Sequence, residues 1–351
     1  MSVYISYIAF LIFTSVLVMK AKQRKSLLAA MLLLIFLFSA FRREIGVDTA
    51  VYDYIFTQIS IWGDTNFNIE DGYFLLNKIA LCMGEEFYIV LLLSFGMTLF
   101  FTYEFITYFV PEKYRGISLV VFISSSFYFV YALSGIRQGI AMSLILYSVR
   151  YIVERRKLLF LLFILLAVFF HKSAAVFIPA YWIGNREIPY KWVLAGVALA
   201  FISRTFVSRL FFSIVPYLQG HYSVYSESYS GEANSNSGWG IIGRIFFWLV
   251  IAYFYQKNMR SADVKNMVPY NIYILGIILY VCCLNVDILI RLSEYFLSVS
   301  IAVIPLSMVS FKMNNRNLYI GFVMLLLSGL FFSFILFEKR AFLPYNSYLF
   351  I

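Results

Sequence analysis

The sequence predicts an all-α, polytopic membrane helix bundle, and three observations carry that expectation. The chain has 351 residues, of which 62% are hydrophobic and only 13% charged. Its mean hydropathy is +0.83, and no water-soluble domain of this size needs so much apolar surface. Apolar runs of about twenty residues, the length that crosses a bilayer as a helix, recur from end to end. In lipid a spanning segment must satisfy its own backbone, so these runs read as helices. Together they make about 11–12 spans in one membrane domain over residues 1–351.

The runs Ser2 to Met19 and Ser26 to Phe41 flank a basic cluster, Lys20, Lys22, Arg24 and Lys25. Basic residues beside a span favour the cytoplasm, so the chain reaches the outer side at Phe41. The first run has no basic leader and no small-residue cleavage site, and it reads as a retained span. An outer loop over residues 42–86 follows, with an amphipathic piece near Tyr73 to Met83. Phe87 to Phe109, Ile117 to Leu133 and Ile136 to Val153 are the next spans. Leu158 to Gly184 is one long apolar run interrupted by His171-Lys172. As a single span it would put Lys257, Arg260, Lys265, Lys312 and Arg316 outside, whereas a break at His171 puts all of them inside. The charge rule favours the break. Lys191 to Arg204, Trp239 to Tyr255, Val268 to Leu284, Ile288 to Val309 and Leu318 to Phe337 complete the set. A polar outer loop over residues 208–238 is rich in Ser, Tyr, Gly and Asn, which fits an adaptable binding loop.

Some function classes fall away. The net charge of +10 belongs mostly to inner loops, so nucleic acid is not an expected partner. Cys82, Cys282 and Cys283 show no metal or redox spacing. Two distant histidines build no zinc site, and the pairs Glu70-Asp71 and Glu85-Glu86 are of a kind common on loops. No metal and no cofactor are expected.

The outer charges point somewhere more specific. Of the 28 basic residues, this topology puts eight arginines outside (Arg42, Arg43, Arg137, Arg204, Arg209, Arg244, Arg291, Arg340) against three lysines. Solubility alone gives no reason for arginine to dominate, whereas a planar guanidinium grips phosphate oxygens in a bidentate way. Arg42 and Arg43 sit at the outer surface, fit either to hold an anion or to snorkel. Asp48 precedes a helix that it could cap, and Asp48 and Tyr52 would share a face. Ser134 looks like the cap of a helix whose first turn carries Arg137 and Gln138. A cation there opposes the helix dipole unless an anion binds or an acid from another span pairs with it. Arg244 repeats the pattern. Arg291 lies in an apolar run, where charge is costly, with Asp287 and Glu294 on its face; an ion-pair ladder and a ligand contact are both open. His171 is either an interfacial histidine or a base beside a sugar hydroxyl.

Arg42, Gly46, Asp48 and Tyr52 resemble an R-x-x-x-G-T-D-x-x-x-Y pattern of EpsG-type polysaccharide proteins, which are related to Wzy O-antigen polymerases. Residues 69–77, reading I-E-D-G-Y-F-L-L-N, are similar to the family's next segment. Ile136-Arg-Gln138, Phe170-His-Lys172, Arg291 with Tyr295 and Phe296, and Pro344-Tyr345 match in order and spacing. The resemblance covers nearly the whole chain, with Val47 in place of the usual Thr and Arg43 in place of an aromatic. It implies a GT-C-like fold in the bacterial inner membrane. It implies a polymerase of undecaprenyl-pyrophosphate-linked repeat units at the periplasmic face, building O-antigen, capsule or exopolysaccharide. Donor and acceptor glycans, membrane lipid and a chain-length regulator are the implied partners. Arg137, Arg291 and His171 are then the catalytic candidates, with Arg42, Arg43, Asp48, Tyr52, Gln138 and Arg244 contacting substrate. A lipid-linked oligosaccharide flippase and a related ligase are the competing readings.

Overall fold

In a computed structural model the chain is helical almost throughout; residues 1–186, 188–214, 238–258, 264–309 and 313–350 are described. The helices are α1 (Ser2–Lys20), α2 (Arg24–Ala40), α3 (Thr49–Trp62), α4 (Asp71–Met83), α5 (Phe87–Phe109), α6 (Arg115–Ile123), α7 (Ile136–Val153) and α8 (Lys157–Phe170). They continue as α9 (Ala180–Ile183), α10 (Tyr190–Ile214), α11 (Gly238–Asn258), α12 (Val264–Cys282), α13 (Asp287–Leu297), α14 (Ser300–Ser307), α15 (Met313–Phe337) and α16 (Lys339–Phe342). The structure is an all-α bundle. Among the described residues, five helices are long and apolar enough to cross a membrane, or up to seven if each of two bent pairs counts as one span.

Helix α7 is the central post, packed against α5, α8 and α12. Gly139, Ala141, Ser143 and Ser148 keep its surface low and are buried, as expected where helix backbones approach closely in lipid.

Two runs that the sequence offers as straight spans are bent. The first breaks after α6: residues 124–126 separate it from a π-helical stretch, Phe127–Ser134, at an angle of 67°. The second breaks between α13 and α14 by 53°. Serine hydroxyls sit at both breaks. Ser125 Oγ donates to the Phe122 carbonyl (2.6 Å) and Ser298 Oγ to the Tyr295 carbonyl (2.8 Å). Such bonds compete with the helical ladder and allow a helix to turn.

The run from Leu158 goes out and comes back. Helix α8 stops at Phe170, His171 is extended (φ −158°, ψ 114°), and a 3₁₀ turn over Lys172–Phe177 leads to α9. Asn185 Nδ2 then donates to the Ile152 carbonyl (3.4 Å), at the end of α7 from which α8 departed. The basic residues of that end gather on acid and aromatic partners. Arg150 bonds Glu104 Oε2 at 3.3 Å, and both Arg150 and Lys265 lie over Tyr108.

At the opposite end the C-terminus is stitched to the segment after α2. Strand β1 (Arg42–Arg43) pairs antiparallel with β2 (Asn346–Ser347), and the Tyr345 hydroxyl donates to the Phe38 carbonyl (2.6 Å). The polar loop expected from Ser208 begins later than read, since α10 runs on to Ile214; residues 215–237 lie outside the described residues.

Candidate functional site

Four elements meet at the His171 break: the N-terminal ends of α4 and α7, the turn after α8, and α13. Glu70 precedes α4 and is the hub. Its Oε2 accepts from Arg137 Nη1. Its Oε1 lies 3.1 Å from His171 Nδ1 and 3.3 Å from the Lys172 backbone N–H, which donates to it. The close approach depends on Gly72: a Cβ there would stand 2.6 Å from the Phe169 carbonyl oxygen, below any real contact. Any larger residue would hold the start of α4, and with it Glu70, away from His171.

Electrostatics set the roles. Burial pushes the Glu70 carboxyl up, but the His171 hydrogen bond and the Arg137 charge outweigh it and hold it at about 2. An ionised carboxylate only accepts. The His171 Nδ1 must therefore carry the hydrogen, so that whenever the imidazole is neutral its lone pair is on Nε2. Glu70 also fixes Arg137, whose guanidinium lies 5.9 Å from the centre of the Tyr52 ring; Tyr52 in turn packs edge-on against Tyr73, 5.2 Å between ring centres. The Arg137 side chain stays 25% exposed, with donors beyond the one that Glu70 takes.

Helix α13 closes the group. Ser173 Oγ and the Tyr295 hydroxyl are 2.9 Å apart, and Gln138 Nε2 donates to the Arg291 carbonyl (3.4 Å). Gln138 is itself buried, so its amide joins helices instead of facing a substrate. The Arg291 side chain is exposed. Of the ladder left open for Asp287, Arg291 and Glu294, the Glu294 rung does not form. The Glu294 carboxylate instead accepts from Ser126 Oγ at 2.5 Å, and among the described residues no ion pair joins it to Arg291. Arg244 sits apart, its Nη1 donating to the Tyr280 hydroxyl (3.2 Å) beside a cavity of about 1410 Å³.

The opening motif behaves differently from its sequence reading. Arg42 is 1% exposed. It donates to the carbonyls of Ser39 (2.6 Å), Leu133 (2.9 Å) and Ile45 (3.3 Å), so its fork holds main chain and turns no face outward. Gly46, at φ +112°, comes so near Leu133 that a Cβ would meet the carbonyl oxygen at 2.5 Å. Asp48 stands at the head of α3 but makes no side-chain cap bond and is exposed. Ser134 does not cap α7, which Gly135 precedes. Its hydroxyl accepts from the Val47 N–H (3.1 Å) and donates to the Phe129 carbonyl (3.0 Å). The motif thus anchors the segment between α2 and α3 to the break before α7. Only Tyr52 from it, through its ring, reaches Arg137. Arg43 is exposed, 3.6 Å from Glu44, and lines a separate cavity of about 940 Å³.

Glu70 carries no role in the sequence reading, where it is one half of an ordinary acidic pair. Its signal was the I-E-D-G-Y segment around it, whose glycine has a packing reason visible only in three dimensions. In comparison with known families, residues 25–347 match the model described as the EpsG family. No curated protein and no solved structure matches the chain.

Proposed function

Because the chain belongs to the EpsG family, we propose that it is a polysaccharide polymerase that joins lipid-linked oligosaccharide repeats at the outer face of the bacterial cytoplasmic membrane. The single observation that carries this reading is the Glu70 carboxylate shared by Arg137 and His171. It supports the reading because an imidazole and a guanidinium, able to serve as base and phosphate-binding cation, share one carboxylate at the helix break.

The hydroxyl of an acceptor glycan attacks the anomeric carbon of a donor held on undecaprenyl pyrophosphate. Its proton passes to His171 Nε2 as the new C–O bond forms. The bond from the anomeric carbon to the pyrophosphate oxygen breaks, and the lipid pyrophosphate leaves with the electron pair. Arg137, fixed by Glu70, and the exposed Arg291 stabilise the charge that grows on that leaving group. Guanidinium suits the task because its fork matches two phosphate oxygens at once. In this reading the charge is met by arginine and needs no metal. Glu70 orients His171 and takes no proton itself, since its carboxyl is held so low.

The test is the surface polysaccharide of a deletion strain. Loss of long chains with single repeat units retained is the expected result. Loss of every transferred unit would instead mark a flippase or a ligase and overturn the proposal.

A further inference from the structure

Arg291, Arg137 and His171 sit on three separate elements, and chemistry that uses them together needs their relative placement held to about 0.5 Å. Arg137 and His171 are joined through Glu70. Arg291 has no such link, since its side chain is exposed and makes no ion pair among the described residues. Its helix is also half of a broken span: α13 runs only from Asp287 to Leu297 and then turns by 53° into α14. So short a helix owes its place to tertiary contacts more than to its own stiffness.

Two side-chain hydrogen bonds tie α13 to the elements that carry the other two groups. Gln138, next in sequence to Arg137, donates from Nε2 to the carbonyl of Arg291 itself (3.4 Å). The Tyr295 hydroxyl lies 2.9 Å from Ser173 Oγ, on the turn that begins at His171. Tyr295 stands one helical turn after Arg291, so this bond pins the face that carries the guanidinium. Phe296 adds an apolar seat, its ring centre 4.9 Å from that of Phe177 at the end of the same turn. At 3.4 Å the Gln138 bond is a long one, which leaves the Tyr295–Ser173 pair as the tighter tie. Tyr295 is fully buried. A phenylalanine would fill its space equally well, so the hydroxyl is there for its partner and not for packing.

We propose that Tyr295 is a positioning residue. Its hydroxyl, bonded to Ser173, holds α13 in the register that aims Arg291 at the same leaving group as Arg137. The inference rests on the polymerase reading and deepens it. Tyr295 makes and breaks no bond in the reaction and acts through Arg291.

Kinetics of the purified protein in nanodiscs test this, with lipid-linked repeat units extracted from a strain deleted for it as substrate. Y295F removes one oxygen atom and keeps the ring, so the protein should accumulate and unfold near the wild-type temperature. Its kcat should fall about tenfold, because a displacement of about 1 Å costs up to about 100-fold. KM should not change, as expected when the lost interaction belongs to the transition state. S173A should behave alike, and Y295F/S173A should be no worse than either single variant, since all three lack the same bond. In an R291A background, followed as single turnovers, Y295F should cost nothing further. Unchanged kcat in Y295F, multiplied losses in Y295F/S173A, or a tenfold loss that persists on top of R291A overturns the assignment. A deletion strain that loses every transferred unit ends the polymerase reading; one that loses only long chains, with multiplied losses in both comparisons, ends this assignment alone.

Discussion

Replacing Glu70 with Gln swaps one oxygen for an amide nitrogen and removes a negative charge on which three donors converge. Glu70 is 10% exposed and Arg137 25% exposed. The pair lies between a surface ion pair, worth ~0–1 kcal/mol, and a buried one, whose breaking costs ~3–5 kcal/mol. The stability lost in E70Q is accordingly expected at about 2 kcal/mol. The effect on chemistry should be larger. A carboxylate forces the hydrogen onto His171 Nδ1, whereas a Gln amide can donate or accept and lets the imidazole take either tautomer. Losing a correctly poised base costs about 100- to 10,000-fold in rate, which is about 3–5 kcal/mol of barrier. The assay pairs chain-length distribution on gels with protein level in the membrane fraction. E70Q should accumulate, though less than wild type, and yield only short chains. Normal chain lengths per molecule of protein would refute the tautomer argument and leave Glu70 a structural residue. An acid titration gives a second check. The Glu70 carboxyl is depressed to about 2 from its ordinary 4.5. Its stabilisation is full above about 4.5 and is lost as pH falls toward 2. The unfolding temperature of wild type should fall more steeply than that of E70Q across that window.

Four further outcomes are expected. Arg137→Lys keeps the charge but loses the planar fork, so chains should shorten about 100-fold in yield at unchanged protein level; normal chains would reduce Arg137 to a point charge. Arg42→Ala removes charge-assisted bonds to three buried carbonyls and should destabilise by about 3 kcal/mol or more; an R42A protein that accumulates normally yet makes no polymer would return Arg42 to the substrate. Arg291→Ala should accumulate normally and polymerise poorly, and adding D287N and E294Q should restore nothing, because Glu294 is held by Ser126. For topology, an impermeant thiol reagent applied from outside should label cysteine placed at Ser60 and spare cysteines placed at Arg156 and Arg186. Opposite behaviour of the last two would mean that Leu158 to Gly184 crosses once.

The class of molecule was legible from composition, and the helix termini at Lys20, Phe109 and Val153 were legible from where apolar runs meet charge. The out-and-back path at His171 followed from charge bias alone, because five basic residues change sides with it. Membrane topology is a one-dimensional property, set by segment length and flanking charge, and a linear sequence records both. The partner of a charge is not. Arg42, Arg137 and Arg291 are one residue type in similar apolar settings, yet the fold seals the first on main-chain carbonyls, clamps the second to Glu70 and leaves the third exposed. Each outcome depends on residues tens to hundreds of positions away: Leu133 for Arg42, Glu70 for Arg137, and Ser126, which takes Glu294 from Arg291. The bends at Ser124–Ser126 and Ser298 were equally hidden, since a serine within an apolar run is compatible with a straight helix until tertiary packing decides whether its hydroxyl bonds the preceding turn. The class of the molecule and many of its helix ends could therefore be read from the linear chain, whereas the pairing of buried charge, being a contact between distant segments, was decided only when the helices packed.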